Sequence, residues 1–269
     1  MLAGNNLVTT VEDLPLESHS SVPAPAEPAA LEGIRSVEVR HSGLYPMVWF
    51  GNRQNQASEQ YRIIRTKILH HPAQPRVVVL TSAGAGDGKS VTAINLAGAL
   101  ALKYGQKVLL LEGDLRRAGI AESLGIPSEP GLAEVLSGET PLSKAVVQVE
   151  TLPTLFVLPG GKAKRNPAEL LDSPQWKELA AKIRTHFDYV VIDAPPLGLV
   201  ADFHLLEAVS DGVILVVRPD HTDRSVCSSA LAGVNREKLI GAVLNAVDDW
   251  ILVKSPSYGY YRSRRFEEE

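Results

Sequence analysis

The run Val77-Val78-Val79-Leu80, continued by Thr81-Ser82-Ala83-Gly84-Ala85-Gly86-Asp87-Gly88-Lys89-Ser90, constrains this chain more than any other stretch. Its β-branched residues read as a buried strand, and the apolar periodicity from Val91 to Leu102 reads as a helix, so a glycine-rich turn joins strand to helix. Such a turn aims successive backbone N–H groups inward, and the helix start adds unpaired N–H groups and a positive dipole end. A polyphosphate fits that environment. Lys89 then reaches the β- and γ-phosphates and the Ser90 hydroxyl takes a Mg2+ ligand position, the roles of the last two residues of a P-loop. The strict pattern asks for glycine where this chain has Ala83, while Gly84, Gly86 and Gly88 supply the permissive backbone.

Beyond this unit, apolar strands alternate with helical patterns. Lys107 to Leu111, Leu155 to Leu158, Tyr189 to Ile192, Gly212 to Val217 and Leu239 to Leu244 read as strands. Pro174 to His186, Phe203 to Val209 and Ser225 to Ala232 read as helices, and Asn166-Pro167-Ala168-Glu169-Leu170-Leu171 starts another with proline at its first position. The alternation predicts an α/β fold with one doubly wound, mostly parallel sheet. Three carboxylates sit where apolar strands end: Glu112, Asp114 and Asp193. Strand ends are where open α/β sheets bind ligands, and Mg2+ takes few direct carboxylates while bridging phosphates. Asp193, after four apolar residues, suits the role of a Walker B aspartate.

At 269 residues with a net charge of −4, the chain gives no reason to expect sequence-independent binding to nucleic acid. A single cysteine, Cys227, excludes a disulfide framework or a CxxC metal site within one chain. The apolar run Ala93 to Leu102 falls far short of the ~20 residues that cross a bilayer, and Met1 to Val11 lacks the basic and apolar regions of a signal peptide. Residues 1–50 read as a proline-rich tail or linker, 51–253 as the folded domain and 254–269 as a mobile tail carrying Tyr258, Tyr260 and Tyr261. Within the first segment, Tyr45, Trp49 and Phe50 are placed to dock on the domain or on a partner. Ser58 to Ile68 reads as a helix with Tyr61, Ile64 and Ile68 on its apolar face, and Glu59, Arg62 and Arg65 trace a slanted polar stripe.

Thr81 to Ser90, Leu109 to Arg117 and Tyr189 to Pro196 resemble the Walker A, A′ and B motifs of the bacterial tyrosine kinases, the autokinases that control capsule and exopolysaccharide synthesis. Glu59 to Arg65 is similar to the family's ExxRxxR helix, Asn166 to Leu171 to its NPxELL segment, and Asp211 to Val217 to its DG-plus-strand block. The resemblance implies Mg2+-dependent transfer from ATP to tyrosine, with Lys89, Glu112 and Asp114 catalytic and Ser90, Asp114 and Asp193 on the metal. It implies ATP against Gly84, Ala85, Gly86, Asp87, Gly88, Lys89, Ser90 and Val91, and acceptors at Tyr258, Tyr260 and Tyr261. Either Glu112 or Asp114 is placed to accept the phenol proton. Asn245 either meets the adenine edge or closes a turn, and Arg116 and Arg117 meet phosphates, a neighbouring subunit or solvent.

The same resemblance implies a ring of copies packed through Glu59, Arg62 and Arg65, a separate transmembrane activator acting as polysaccharide co-polymerase, an opposing tyrosine phosphatase, and a cytoplasmic location peripheral to the inner membrane. Two rivals share the architecture: a partitioning-type ATPase switch, and a non-catalytic nucleotide-binding scaffold. The first carries an extra lysine near the loop start, where this chain has Ala83 and Gly84. The second is kept open by Glu112, since the family commonly has Asp there.

Overall fold

In the computed structural model, residues 33–40, 47–49, 56–198, 201–219 and 221–247 are described. The chain order is β1 (Arg35–Val37), α1 (Gln56–Leu69), β2 (Val77–Ser82), α2 (Lys89–Ala101), β3 (Val108–Glu112), α3 (Ile120–Leu124), α4 (Leu132–Leu136), α5 (Leu142–Ala145), β4 (Val147–Val149), β5 (Leu155–Leu158), α6 (Pro167–Leu171), α7 (Pro174–His186), β6 (Tyr189–Asp193), α8 (Asp202–Ala208), β7 (Gly212–Val217), α9 (Arg224–Leu231) and β8 (Leu239–Leu244). The strands form one sheet in the order β1-β4-β5-β3-β6-β2-β7-β8. All neighbours are parallel except β4 and β5, so β1 and β4 run against the other six.

Both faces of the sheet are covered, which is why its central strands are apolar without alternation. Val77 and Val79 of β2 and Leu109 and Leu111 of β3 face one cluster with Trp176, Leu179 and Ile183 of α7 and Phe203 and Leu206 of α8. Val78, Leu80, Val108 and Leu110 face the other, with Ile94, Leu96 and Leu100 of α2 and Ile68 of α1. Among the described residues no helix is long and apolar enough to cross a membrane.

The domain reaches further toward the N-terminus than the expected boundary at residue 50. β1 extends the sheet by pairing with β4, Arg35 opposite Val147. Val48 N–H donates to Asn95 Oδ1 at 2.8 Å and its carbonyl accepts from Ser58 Oγ at 3.0 Å, which fastens the 47–49 segment to α2 and α1. Trp49 is 2% exposed and lies against Gly98, where a Cβ would come within 2.0 Å of its ring. Of the three aromatic residues expected to dock, Trp49 docks on the domain, while Tyr45 and Phe50 lie outside the described residues.

Candidate active site

The sheet order brings the site together. β2 lies between β6 and β7, with β3 next to β6, so the loop after β2 opens beside the ends of strands that carry acids. Leu80 of β2 is in register with Asp193 of β6, which in turn is in register with Glu112 of β3. Gly86 and Gly88 hold the loop in left-handed backbone, with φ of 89° and 88°, which L side chains adopt at a cost. Lys89 and Ser90 then open α2.

Lys89 Nζ stands 3.0 Å from Asp114 Oδ2, 3.3 Å from Asp193 Oδ1 and 3.3 Å from Ser90 Oγ. Ser90 Oγ donates to Asp193 Oδ2 at 2.5 Å. Burial alone would lower the Lys89 pKa, but Asp193 and Asp114 outweigh it and the group is held above the usual lysine value. Burial pushes the Asp193 carboxyl up to about 6 despite Lys89 and Ser90, with added repulsion from Glu112 and Asp114. Two buried carboxylates on one ammonium leave surplus negative charge, and hard oxygen donors with a hydroxyl suit Mg2+. Among the described residues no three His, Cys, Asp or Glu side chains form a metal cage.

Glu112 sits apart from that cluster in what it bonds. Its Oε1 accepts from Gly119 N and from Ile120 N (2.7 Å), and its Oε2 accepts from Gly160 N at 2.8 Å. Burial raises its pKa, against those three backbone bonds and the Lys89 charge.

The remaining expected residues fall as follows. Asp87 is fully buried inside the loop, where Oδ2 accepts from Gly84 N at 3.0 Å and Oδ1 from Thr222 Oγ1. Asn245 Nδ2 donates to the Asp87 carbonyl at 2.8 Å, so its amide braces the loop. Ala85 offers its carbonyl to His221 Nε2 at 3.0 Å. Arg116 forks onto the buried Asp202, Nε to Oδ2 at 2.8 Å and Nη2 to Oδ1 at 3.1 Å, and also reaches Asn166 Oδ1 at 3.4 Å. Arg117 is exposed, and its N–H donates to Asp114 Oδ1 at 3.1 Å. On α1, Glu59 and Arg62 pair at 2.9 Å within the helix, and Arg65 Nη1 donates to the Ala99 carbonyl at 3.1 Å. Tyr258, Tyr260 and Tyr261 lie outside the described residues.

Sequence reasoning missed His221, Thr222 and Asp202. The signal for the first two was their place just past a buried strand, at the ligand-binding end of the sheet. Asp202 looks like an ordinary acid in the first turn of a helix, and only its buried partnership with Arg116 sets it apart.

Residues 75–236 match the family model of the AAA domain. The tyrosine-protein kinase YwqD of Bacillus subtilis is 38% identical over 211 residues, which span 77% of this chain and 87% of that one. The tyrosine-protein kinase CpsD of Streptococcus agalactiae is 32% identical over 216 residues, 79% of this chain and 93% of that protein. Among solved structures, the kinase domain of the Escherichia coli tyrosine kinase ETK superposes with a TM-score of 0.69 at 27% identity, covering 77% of this chain and 82% of that chain. Identity at this level over most of both lengths means that the chain belongs to the bacterial tyrosine-protein kinase family.

Proposed function

We propose that this chain transfers the γ-phosphoryl group of Mg·ATP to tyrosine, with Tyr258, Tyr260 and Tyr261 of a neighbouring copy as acceptors. The observation that carries this reading is the convergence of Ser90, Asp114 and Asp193 on Lys89, each with a polar atom within 3.3 Å of its Nζ, at the end of the parallel sheet. Mg2+ would be held by Ser90, Asp114 and Asp193, and supplies charge stabilisation to the phosphates. Lys89, kept charged by its carboxylates, neutralises charge that spreads over the transferring group. The amides of the loop from Gly84 to Gly88 orient the nucleotide, with Val91 beside them. As the acceptor oxygen bonds to phosphorus and the bond to the β-phosphate opens, the phenol proton passes to a carboxylate, for which Asp114 is the better placed.

Regulation follows from the same reading. Copies assemble in a ring through Glu59, Arg62 and Arg65, so that one tail enters the next site. A separate transmembrane co-polymerase recruits the chain to the cytoplasmic side of the inner membrane and activates it, a tyrosine phosphatase resets it, and exopolysaccharide polymerisation responds.

The test is to express the full chain and its Lys89→Met variant in the native host, add Mg·ATP to the purified proteins, and map phosphate by mass spectrometry. Phosphate on the tail tyrosines of the native chain alone is expected. Its persistence in the variant refutes the assignment, an unmodified native tail favours the scaffold, and ATP hydrolysis stimulated by DNA without phosphotyrosine favours the partitioning-type switch.

A further inference from the structure

We infer that Glu112 is a positioning residue: its carboxylate clips together the two turns that fix the Asp114 loop, and it does not take the tyrosine proton. The inference deepens the kinase reading above and rests on it.

The Glu112 side chain is buried at 1% exposure, and a carboxylate has about four lone-pair sites. Three backbone amides already occupy three of them, two at the start of α3 and one in the turn after β5. These two turns abut, since a Cβ on Gly160 would lie 3.0 Å from Ala118 Cβ. The loop between β3 and α3 is anchored in stages. Gly113 N–H donates to the Asp193 carbonyl at 2.8 Å, Arg116 is locked to Asp202, and Glu112 closes the far end at Gly119 and Ile120. Asp114, which meets Lys89, lies between the first two anchors. An aspartate at 112 would fall short by one carbon–carbon bond, about 1.5 Å, and could not hold both turns at once. The longer glutamate is therefore the residue that this gap requires.

Two variants of the full chain separate positioning from proton transfer. Glu112→Gln keeps the length and one acceptor oxygen but cannot act as a base, whereas Glu112→Asp keeps the carboxylate and loses the length. A general base contributes about 10²- to 10⁴-fold. If Glu112 positions, Glu112→Gln keeps kcat at saturating Mg·ATP within about tenfold of native, and Glu112→Asp loses more than Glu112→Gln does. Before any nucleotide is added, backbone amide hydrogen exchange in peptides covering 117–121 and 159–161 should speed up in both variants, most in Glu112→Asp. A loss of about a hundredfold or more in Glu112→Gln, or unchanged exchange in both variants, overturns the inference. Should the native chain phosphorylate no tyrosine, the kinase reading falls, while the exchange measurement still decides whether Glu112 holds the two turns.

Discussion

Gly88→Ala probes how the phosphate loop is kept in shape before nucleotide arrives. Gly88 has a φ of 88°, and a Cβ there would lie 2.0 Å from Asn245 Nδ2, the group that donates to the Asp87 carbonyl at 2.8 Å. Alanine in left-handed backbone costs about 1–2 kcal/mol. Displacing Asn245 forfeits a hydrogen bond worth about 0.5–1.5 kcal/mol. The variant should therefore lose about 2–3 kcal/mol of stability. Asn245→Ala forfeits only the bond, about 1 kcal/mol. In the double variant the new methyl has room and the bond is lost once, so the double should be no less stable than Gly88→Ala alone, and the cycle should miss additivity by about 1 kcal/mol. Urea unfolding of the four full-length proteins without nucleotide measures this, compared at constant m-value. Additive losses, within about 0.3–0.5 kcal/mol, would mean that Asn245 does not lie over Gly88 and would refute the bracing argument.

Trp49→Ala should cost about 3–5 kcal/mol in the same assay, because Trp49 is buried against Gly98 in the core rather than carried on a loose tail; a loss under about 1 kcal/mol would return that segment to the linker. Arg116→Lys should lower stability by about 1–2 kcal/mol, since an ammonium cannot reproduce the two-pronged bond to the buried Asp202, while Arg117→Lys should stay within about 0.5 kcal/mol. Burial pulls the Asp211 carboxyl up, but the Arg184 guanidinium and the N–H groups of Val77 and Arg76 outweigh it and hold its pKa below the ordinary value. A lowered folded-state pKa contributes stability above the unfolded value of about 3.9 and loses it as pH falls through the folded one. Asp211→Asn should therefore flatten the acid side of the stability curve below about pH 4, read as the urea midpoint against pH.

The elements legible in the sequence are those whose residues decide their own conformation. Strands β2, β3, β5, β6 and β7 are largely apolar runs because both faces are covered, and α7 runs from Pro174 to His186 as its periodicity predicts, with Ser173 Oγ accepting from Trp176 N at its start. Two of the short elements, β1 and α4, are decided from outside. β1 is three residues long and largely exposed, and takes its place through its pairing with β4. α4 is held by the buried Glu134, whose carboxylate accepts from Gly131 N at 2.8 Å and from Lys162 N at 2.9 Å. No local pattern foretells a contact with Lys162, because the chain between is a helix and two strands long.

The site divides along the same line. Glu112, Asp114 and Asp193 look alike as acids at strand ends, yet each answers to a different environment: backbone amides for Glu112, Lys89 and one backbone amide for Asp114, and both Lys89 and Ser90 for Asp193. What distinguishes them comes from loops far away in the chain that the strand order sets side by side. Because β2 lies between β6 and β7, the phosphate loop meets Asp193 on one flank and Thr222 with His221 on the other. Because β5 lies beyond β3, the Gly160 turn falls within reach of Glu112. Strand periodicity names the loops that carry chemistry, whereas the order of parallel strands, set by packing across both faces, decides which acids meet the lysine and serine of the phosphate loop and which one gives both its oxygens to distant backbone turns.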